Sequence, residues 1–117
     1  MKRNNLETIL IKIFKKNGLK YNHAKICSNA LINAEQVGAY SHGLSRLKMY
    51  CDRIKKKLIN PRPKIKIKKI SQSISYIENN CIGFVAADIA IKKTIQNAEK
   101  TGIGLVAVKN SGHYGLS

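Results

Sequence analysis

Aromatic side chains are scarce in this chain of 117 residues, which has no tryptophan and only two phenylalanines. Proteins that bind nucleic acid on a β-sheet stack the bases on aromatic side chains. No segment of this sequence predicts a strand rich in such residues. The scarcity argues against a base-stacking sheet.

Long apolar runs are also missing. No stretch approaches the roughly 20 residues that a helix needs to cross a bilayer. The apolar segment near the N-terminus is interrupted by Glu7, Thr8 and Lys12 and has no small-residue cleavage site, so it does not resemble a signal peptide. The sequence therefore predicts a soluble, cytoplasmic protein without a membrane partner.

Cysteine and acidic residues are few. Cys27, Cys51 and Cys81 lie far apart and are odd in number, so reduced thiols in a cytosolic protein are the simplest interpretation. The histidines and cysteines lack the short spacings of zinc ligands, and only six acidic residues are available for hard cations. The sequence predicts no metal site.

Positive charge, in contrast, is abundant: 22 basic residues against six acidic ones give a formal net charge of +16. Such an excess is typical of proteins that bind nucleic acid. Here it comes from 18 lysines spread along the chain and only four arginines, although arginine is the residue that phosphates and base edges favour. A solvated lysine surface is favoured, and a small basic nucleic-acid-binding protein stays as an alternative.

Three amphipathic helices are predicted before any strand. Apolar residues recur three and four positions apart over 6–14 and over 22–38, where Asn22 is a good N-cap. A third helical face runs over 43–58 and ends before Pro61. The first half of the chain is therefore expected to be mainly helical.

The second half predicts an α/β unit. Polar and apolar residues alternate over 64–68 and 73–78, which favours a pair of strands with one exposed face. A helix over 82–98 stops at Gly102, and the apolar run 103–108 predicts a buried strand. The fold class is α/β.

The last strand leads into a polar loop with two glycines, residues 110–115. Open α/β sheets bind ligands at the edge where such loops leave the strands. A parallel sheet also needs helices on both faces, and the sequence supplies no further helix after the loop. We expect one unit over 1–117, about 1–60 helical and about 64–117 α/β, truncated at its C-terminus.

Ser41, His42 and Arg46 form a candidate site at the junction of the second and third helices. The free N–H groups at the start of the third helix, near Gly43, favour anions. His42 can act as acid or base, Ser41 can orient it, and Arg46 can bind a carboxylate with two parallel hydrogen bonds. This combination predicts a site for a small anionic substrate. In the structural alternative, Ser41 caps the helix and the other two residues are surface groups.

His113 is the second candidate, because it lies in a loop between glycines at the end of the predicted strand. That position suits a catalytic or cofactor-contacting imidazole, and a loop histidine without a role is equally compatible. The Gly-x-Gly-x-x-Ala pattern from Gly102 to Ala107 follows a helix and enters a strand, the reverse of a dinucleotide fingerprint. We interpret it as a helix end.

Three segments carry a resemblance to a known family. The segment Ala39-Tyr40-Ser41-His42-Gly43-Leu44-Ser45-Arg46, with Tyr50 after it, resembles the Ser-His-Gly-x-x-Arg segment of the malate/L-lactate dehydrogenase family of NAD(P)-dependent oxidoreductases. The helix ending at Gly102, the strand 103–108 and the loop 110–115 are similar to the family's helix, strand and Asn-x-x-His loop, in the same order. The resemblance implies the N-terminal portion of an L-sulfolactate-dehydrogenase-like α/β/α fold, which is not a Rossmann fold.

The resemblance also implies roles for four residues. His42 is similar to the family's proton donor to the substrate carbonyl, Ser41 to its hydrogen-bonding neighbour, and Arg46 to the residue that binds the substrate carboxylate. His113 is similar to the acid/base histidine of some members, so it stays open which histidine transfers the proton. The implied reaction is hydride transfer between NAD or NADP and a 2-hydroxy/2-oxo acid, in a homodimer.

Two departures from the family pattern shape the remaining expectations. Lys48 stands where the family usually has proline, and the chain is under half the length of a typical member. Most of the cofactor-binding segments are therefore expected beyond Ser117, and the chain is expected to fold poorly alone. A non-catalytic remnant that docks on a full-length homologue is a further alternative. The sequence does not identify the substrate or choose between NAD and NADP.

Overall fold

The computed structural model describes residues 1–116 and has a mixed α/β architecture, as predicted. Its elements are helices α1 (Arg3–Lys16), α2 (Tyr21–Gln36), α3 (Leu47–Lys55) and α4 (Gly83–Thr101), the 3-10 turns Tyr40–His42 and Leu44–Arg46, and strands β1 (Lys66–Lys69), β2 (Ile74–Glu78) and β3 (Leu105–Lys109). None of the helices in this range is long and apolar enough to cross a membrane.

One apolar core joins the helices to the sheet. Phe14 of α1, Leu31 of α2 and Tyr50 of α3 are fully buried and pack in one cluster with Ile82 and Val85 at the start of α4. Burying a large apolar side chain contributes roughly 1.5–3 kcal/mol. The start of α4 is thus the point where the helical half of the chain meets the α/β half.

The start of α2 differs from the prediction. The helix begins at Tyr21 with Lys20 at its N-cap position, and no side chain caps it. Asn22 therefore lies inside the first turn, and its prediction as the N-cap was wrong. Leu19 and Ala24, the two positions of a hydrophobic staple, are both buried in the core. The start of α2 is therefore packed by apolar side chains and has no polar side-chain cap.

The third helix is shorter than predicted at both ends. It begins at Leu47, after the 3-10 turns, and ends at Lys55. Lys57 adopts a positive φ of 59°, and a left-handed residue cannot continue a right-handed helix. Leu58 was predicted to lie on the helical face, but it falls outside the helix and is 54% exposed.

The strands form a three-stranded sheet in the order β1-β2-β3. β1 pairs antiparallel with β2, and β2 pairs parallel with β3 through the α4 crossover. α4 ends at Gly102, whose φ of 82° is left-handed. The glycine pattern at this position is therefore a helix end, as predicted. Parallel pairing places the C-terminal ends of β2 and β3 at the same edge of the sheet.

The prediction that the last strand is buried was wrong. Leu105 and Val108 of β3 are 53% and 37% exposed. β3 is one of the two edge strands of the described sheet and pairs only with β2 within residues 1–116. An apolar run shows only that a strand could be buried. Whether the strand is buried depends on the elements that pack against it.

All three cysteines are free thiols, as predicted, and the structure also shows that all three are buried. Burial is the main cause that raises the pKa of Cys81 to about 11. Burial raises the pKa of the Cys27 thiol as well. Both groups therefore stay protonated at neutral pH and behave as small apolar residues.

Candidate active site

The segment from Ser41 to Arg46 joins α2 to α3 and is folded into the two 3-10 turns. The Oγ atom of Ser41 lies 2.9 Å from Nδ1 of His42. Nε–H of Arg46 donates a hydrogen bond to the carbonyl oxygen of Ser41 at 2.7 Å. This bond ties the guanidinium group back across the segment, so the serine, the histidine and the arginine form one local unit.

Glu35 of α2 holds this unit in place and was not identified from the sequence. Its Oε1 atom accepts a hydrogen bond of 2.7 Å from the backbone N–H of Leu44. A Cβ atom at Gly43 would collide with the same carboxylate, so only glycine allows this approach. The free N–H groups predicted near Gly43 are therefore not an open anion site, because a carboxylate of the chain already binds the N–H of Leu44.

His113 lies in the loop that follows β3, and two groups contact its Nδ1 atom. Oη of Tyr50 lies 2.9 Å from Nδ1, and the backbone N–H of Gly115 donates to Nδ1 at 3.1 Å. A donor at Nδ1 requires a lone pair there, so the bonding assigns the ring proton of neutral His113 to Nε2.

The pKa of His113 lies below its usual value. Partial burial of the ring is the largest cause, followed by the positive charge of Arg46 and by charge at His42 and Arg53. All these causes disfavour the imidazolium form. The hydrogen bonding at Nδ1 and the surrounding positive charges therefore both favour the neutral ring of His113.

The structure brings the four residues predicted from the sequence into one cluster. The rings of His42 and His113 are stacked with centroids 5.9 Å apart and an angle of 28° between their planes. Arg46 is close enough to lower the pKa of His113. Ser41 contacts His42 directly. Two segments about 70 residues apart in the sequence thus face each other across a single site.

Tyr50 is a second residue at the site to which sequence reasoning gave no role. It is fully buried in α3, and its ring packs on Phe84 with centroids 5.2 Å apart. Burial is the main cause that raises the pKa of Tyr50 to about 12. The signal in the sequence was its position four residues after Arg46, which places both side chains on one face of the helical segment.

The start of α4 does not fit the diphosphate of a nicotinamide dinucleotide. Its diphosphate needs backbone N–H groups at an open helix N-terminus or a glycine-rich turn. The carbonyl oxygens of Gly112 and His113 lie against Gly83, the first residue of α4, and a Cβ atom there would collide with them. That helix start is closed by the chain itself. Residues 1–116 also contain no cluster of three histidine, cysteine or acidic residues that would hold a metal ion.

The comparison with protein families decides the family. The model of the malate/L-lactate dehydrogenase family matches residues 1–117. The chain belongs to this family. The Ser-His-Gly-x-x-Arg segment and the His113 loop, which carried the resemblance, are the two segments that form the cluster.

Relatives in the malate/L-lactate dehydrogenase family extend the likeness to the whole chain. A malate dehydrogenase of Pyrococcus abyssi is 39% identical over 116 residues, 98% of this chain and 32% of the relative. A solved sulfolactate dehydrogenase of Methanocaldococcus jannaschii superimposes with a TM-score of 0.95 at 33% identity, covering 100% of this chain and 34% of that one. A ureidoglycolate dehydrogenase (NAD(+)) of Escherichia coli is 30% identical over 84% of this chain and 28% of the relative.

The chain spans about one third of the length of the curated relatives that it matches. The structural match confirms the predicted sulfolactate-dehydrogenase-like α/β architecture of the described residues. It extends over both halves of the chain, the helical half with Ser41–Arg46 and the α/β half with His113.

Proposed function

We propose that this protein provides the substrate-binding and proton-transfer groups of an oxidoreductase that moves a hydride between NAD or NADP and a 2-hydroxy/2-oxo acid. The observation that carries this proposal is the convergence of His42, His113 and Arg46 in one cluster. The names of the relatives support it: a malate dehydrogenase, a sulfolactate dehydrogenase and a ureidoglycolate dehydrogenase (NAD(+)).

Arg46 is the proposed binding group for the substrate carboxylate. Its Nε–H is engaged with the carbonyl oxygen of Ser41, which restricts the rotation of the guanidinium group. The terminal nitrogens carry the paired N–H donors that match the two oxygens of a carboxylate. Fixing the group before the substrate arrives reduces the entropy that binding costs.

His42 is the proposed proton-transfer residue. Oγ of Ser41 lies 2.9 Å from its Nδ1 and can accept a hydrogen bond from Nδ1–H, which leaves Nε2 as the nitrogen that gives and takes the proton. The ring therefore keeps its partner in both protonation states. A group that must gain and lose a proton in each cycle is well served by such a neighbour.

His113 has a different proposed role. Its Nδ1 accepts from the N–H of Gly115, so protonation at Nδ1 would set two donors against each other. The neutral ring instead offers Nε2–H as a hydrogen-bond donor. We assign to it the polarisation of the substrate oxygen, which makes the carbonyl carbon more electrophilic. This assignment gives the proton transfer to His42.

The nicotinamide cofactor would supply or take the hydride. The start of α4 cannot cradle its diphosphate, because the carbonyl oxygens of Gly112 and His113 close it. The proposal for this chain is therefore limited to the groups that handle the acid substrate and its proton. Neither NAD nor NADP is favoured by these residues.

The setting of this function is a further part of the proposal. Three buried free thiols support a reducing, cytoplasmic compartment. The exposed apolar side chains of Ile103 and Leu105 support an apolar contact with another copy, as in a homodimer. We also propose that residues 1–117 belong to one unit, because the family model matches all of them.

The proposal is tested by binding, which does not require turnover. Amide spectra of the purified protein are recorded by NMR with oxaloacetate or pyruvate, and with NADH or NADPH. We expect the 2-oxo acids to shift the amide signals of residues 41–46 and 113. Arg46→Lys keeps the charge and removes the paired donors, so the Kd for the acid from a titration of these shifts should rise at least tenfold, about 1.4 kcal/mol in binding.

Arg62→Lys is the matched control. Nε–H of Arg62 also donates to a backbone carbonyl, that of Gly18 at 3.0 Å, on another part of the surface. This variant should bind the acid like the wild type. Shifts that are absent, or that both variants reduce equally, would contradict the proposed substrate site.

A further inference from the structure

Tyr50 connects the core of the protein to the ring of His113. Its side chain is fully buried, and its Oη atom lies 2.9 Å from Nδ1 across 63 residues of sequence. A buried hydroxyl without a partner costs roughly 1–3 kcal/mol. This cost favours the contact between Oη of Tyr50 and Nδ1 of His113. The packing of the Tyr50 ring on Phe84 also keeps the hydroxyl in place.

The direction of the hydrogen bond follows from the third group at Nδ1. The N–H of Gly115 can only donate, and it lies 3.1 Å from the same nitrogen. Nδ1 consequently carries a lone pair, and Tyr50 must be the donor in its own contact. Because burial raises the pKa of Tyr50 to about 12, the hydroxyl keeps its proton throughout the neutral range.

We propose that Tyr50 is a positioning residue that holds His113 as the neutral tautomer with its proton on Nε2. A free imidazole exchanges between two tautomers and rotates, and the loop around His113 has no regular secondary structure. Tyr50 supplies the fixed end of the contact from a helix in the core. Its hydroxyl thereby selects which ring nitrogen faces the site as a donor.

Arg46 and Tyr50 stand one helical turn apart, at the start of α3 and within it. The proposed carboxylate-binding group is thus the N-cap residue of the helix that carries the group orienting His113. The catalytic meaning of the tautomer rests on the proposed function, whereas the tautomer itself is a property of the protein alone. The two therefore succeed or fail separately.

The experiment measures the nitrogen chemical shifts of the histidine rings in the full chain, labelled with ¹⁵N, at pH 7.5. A bare ring nitrogen and a protonated one give widely separated signals, and exchange between tautomers moves both toward the average. In the wild type we expect His113 to show a bare Nδ1 and a protonated Nε2. In Tyr50→Phe, which keeps the ring packed on Phe84 and leaves only the N–H of Gly115 at Nδ1, both signals should move toward the average.

Tyr21→Phe is the control. Tyr21 is exposed at the start of α2, so this variant loses a hydroxyl away from the site and should leave the His113 signals unchanged. A wild-type His113 with averaged signals or a protonated Nδ1 would overturn the proposal. So would a folded Tyr50→Phe protein whose His113 signals match the wild type.

A second measurement covers the case in which Tyr50→Phe does not fold. Replacing the tyrosines with 3-fluorotyrosine makes each hydroxyl a stronger donor while keeping its size nearly constant. If Tyr50 donates to Nδ1, the Nδ1 signal of His113 shifts and that of His42 does not. An unchanged Nδ1 signal of His113 would overturn the proposal, whether or not the protein binds any acid.

Discussion

The carboxylate of Glu35 holds the segment that carries the candidate site residues Ser41, His42 and Arg46. Glu35 binds the backbone N–H of Leu44 and lies directly against Gly43. The sequence shows a glycine between a histidine and a leucine, and it gives no sign that the glycine is needed for contact with a side chain eight residues earlier. Such close approaches depend on how α2 and the 3-10 turns are placed in space.

Gly43→Ala should destabilise the protein by about 1–3 kcal/mol, because the new methyl group collides with the Glu35 carboxylate and breaks its bond to Leu44. Chemical denaturation measures the effect. In a Glu35→Ala background the same substitution should cost much less, and equal costs in both backgrounds would contradict the collision.

The two histidines with lowered pKa values predict how stability depends on pH. Burial is the main cause for both His113 and His23, and the positive charge of Lys20 adds to it for His23. The unfolded chain therefore takes up protons near pH 6.5 that the folded protein does not. Stability should be full above pH 6.5 and should decrease as the pH falls toward the lower folded pKa values.

Thermal unfolding between pH 7.5 and 5 tests this dependence. The midpoint should fall on acidification, and the fall should be shallower in His113→Gln and in His23→Gln. Each variant removes one group that binds protons differently in the two states. Identical slopes in the wild type and both variants would show that neither histidine contributes.

Among the secondary-structure elements, α4 is the one that organises the molecule. Its first turn packs in the core and against the His113 loop, and its last turn leads into β3. Its length and its end at Gly102 were predictable, because the apolar periodicity is strong and glycine is the usual residue at a helix end. The C-terminal bound of α3 was not predictable, because Lys57 adopts a left-handed conformation that lysine does not usually prefer.

Gly102→Ala should destabilise the protein by about 1 kcal/mol, since its φ of 82° is unfavourable for a residue with a Cβ atom. No atom lies within 4 Å of the added Cβ, so the cost comes from the backbone alone. Gly102→Asn should recover part of it, because asparagine tolerates this conformation. Urea unfolding of the two variants would contradict the argument if alanine were no worse than asparagine.

At the level of the whole molecule, the described residues leave one side of the sheet and one side of α4 uncovered. Leu105 of β3 and Ile91 and Ile95 of α4 are all more than half exposed. Exposed apolar groups next to an unpaired strand edge favour association. The net charge of +16 opposes association, so the balance depends on salt.

The isolated chain should therefore associate when salt screens its charge. Sedimentation at 0.5 M NaCl is expected to show species larger than the monomer. Leu105→Lys, which adds a charge to the strand edge, should shift the distribution toward monomer. The control Lys109→Arg keeps the charge at the other end of β3 and should sediment like the wild type. A monomer with a cooperative thermal transition under these conditions would contradict the expectation.

Local patterns in the sequence were sufficient for the order and type of the elements. Periodicity, glycines and alternation depend on neighbours within a few residues, and they predicted three helices, a strand pair and a helix–strand unit. The same local signals selected Ser41, His42, Arg46 and His113. They missed Glu35 and Tyr50, and they predicted a buried β3, because burial and partner choice depend on residues far away in the chain.

The three-dimensional arrangement added the relations between distant segments. It stacked His42 on His113, closed the start of α4 with a loop carbonyl, and set a buried tyrosine hydroxyl against Nδ1. None of these relations follows from spacing, since each joins residues that are brought together only when the core packs. The chemistry of a site depends on such contacts, because hydrogen-bond partners and burial determine which proton a histidine carries.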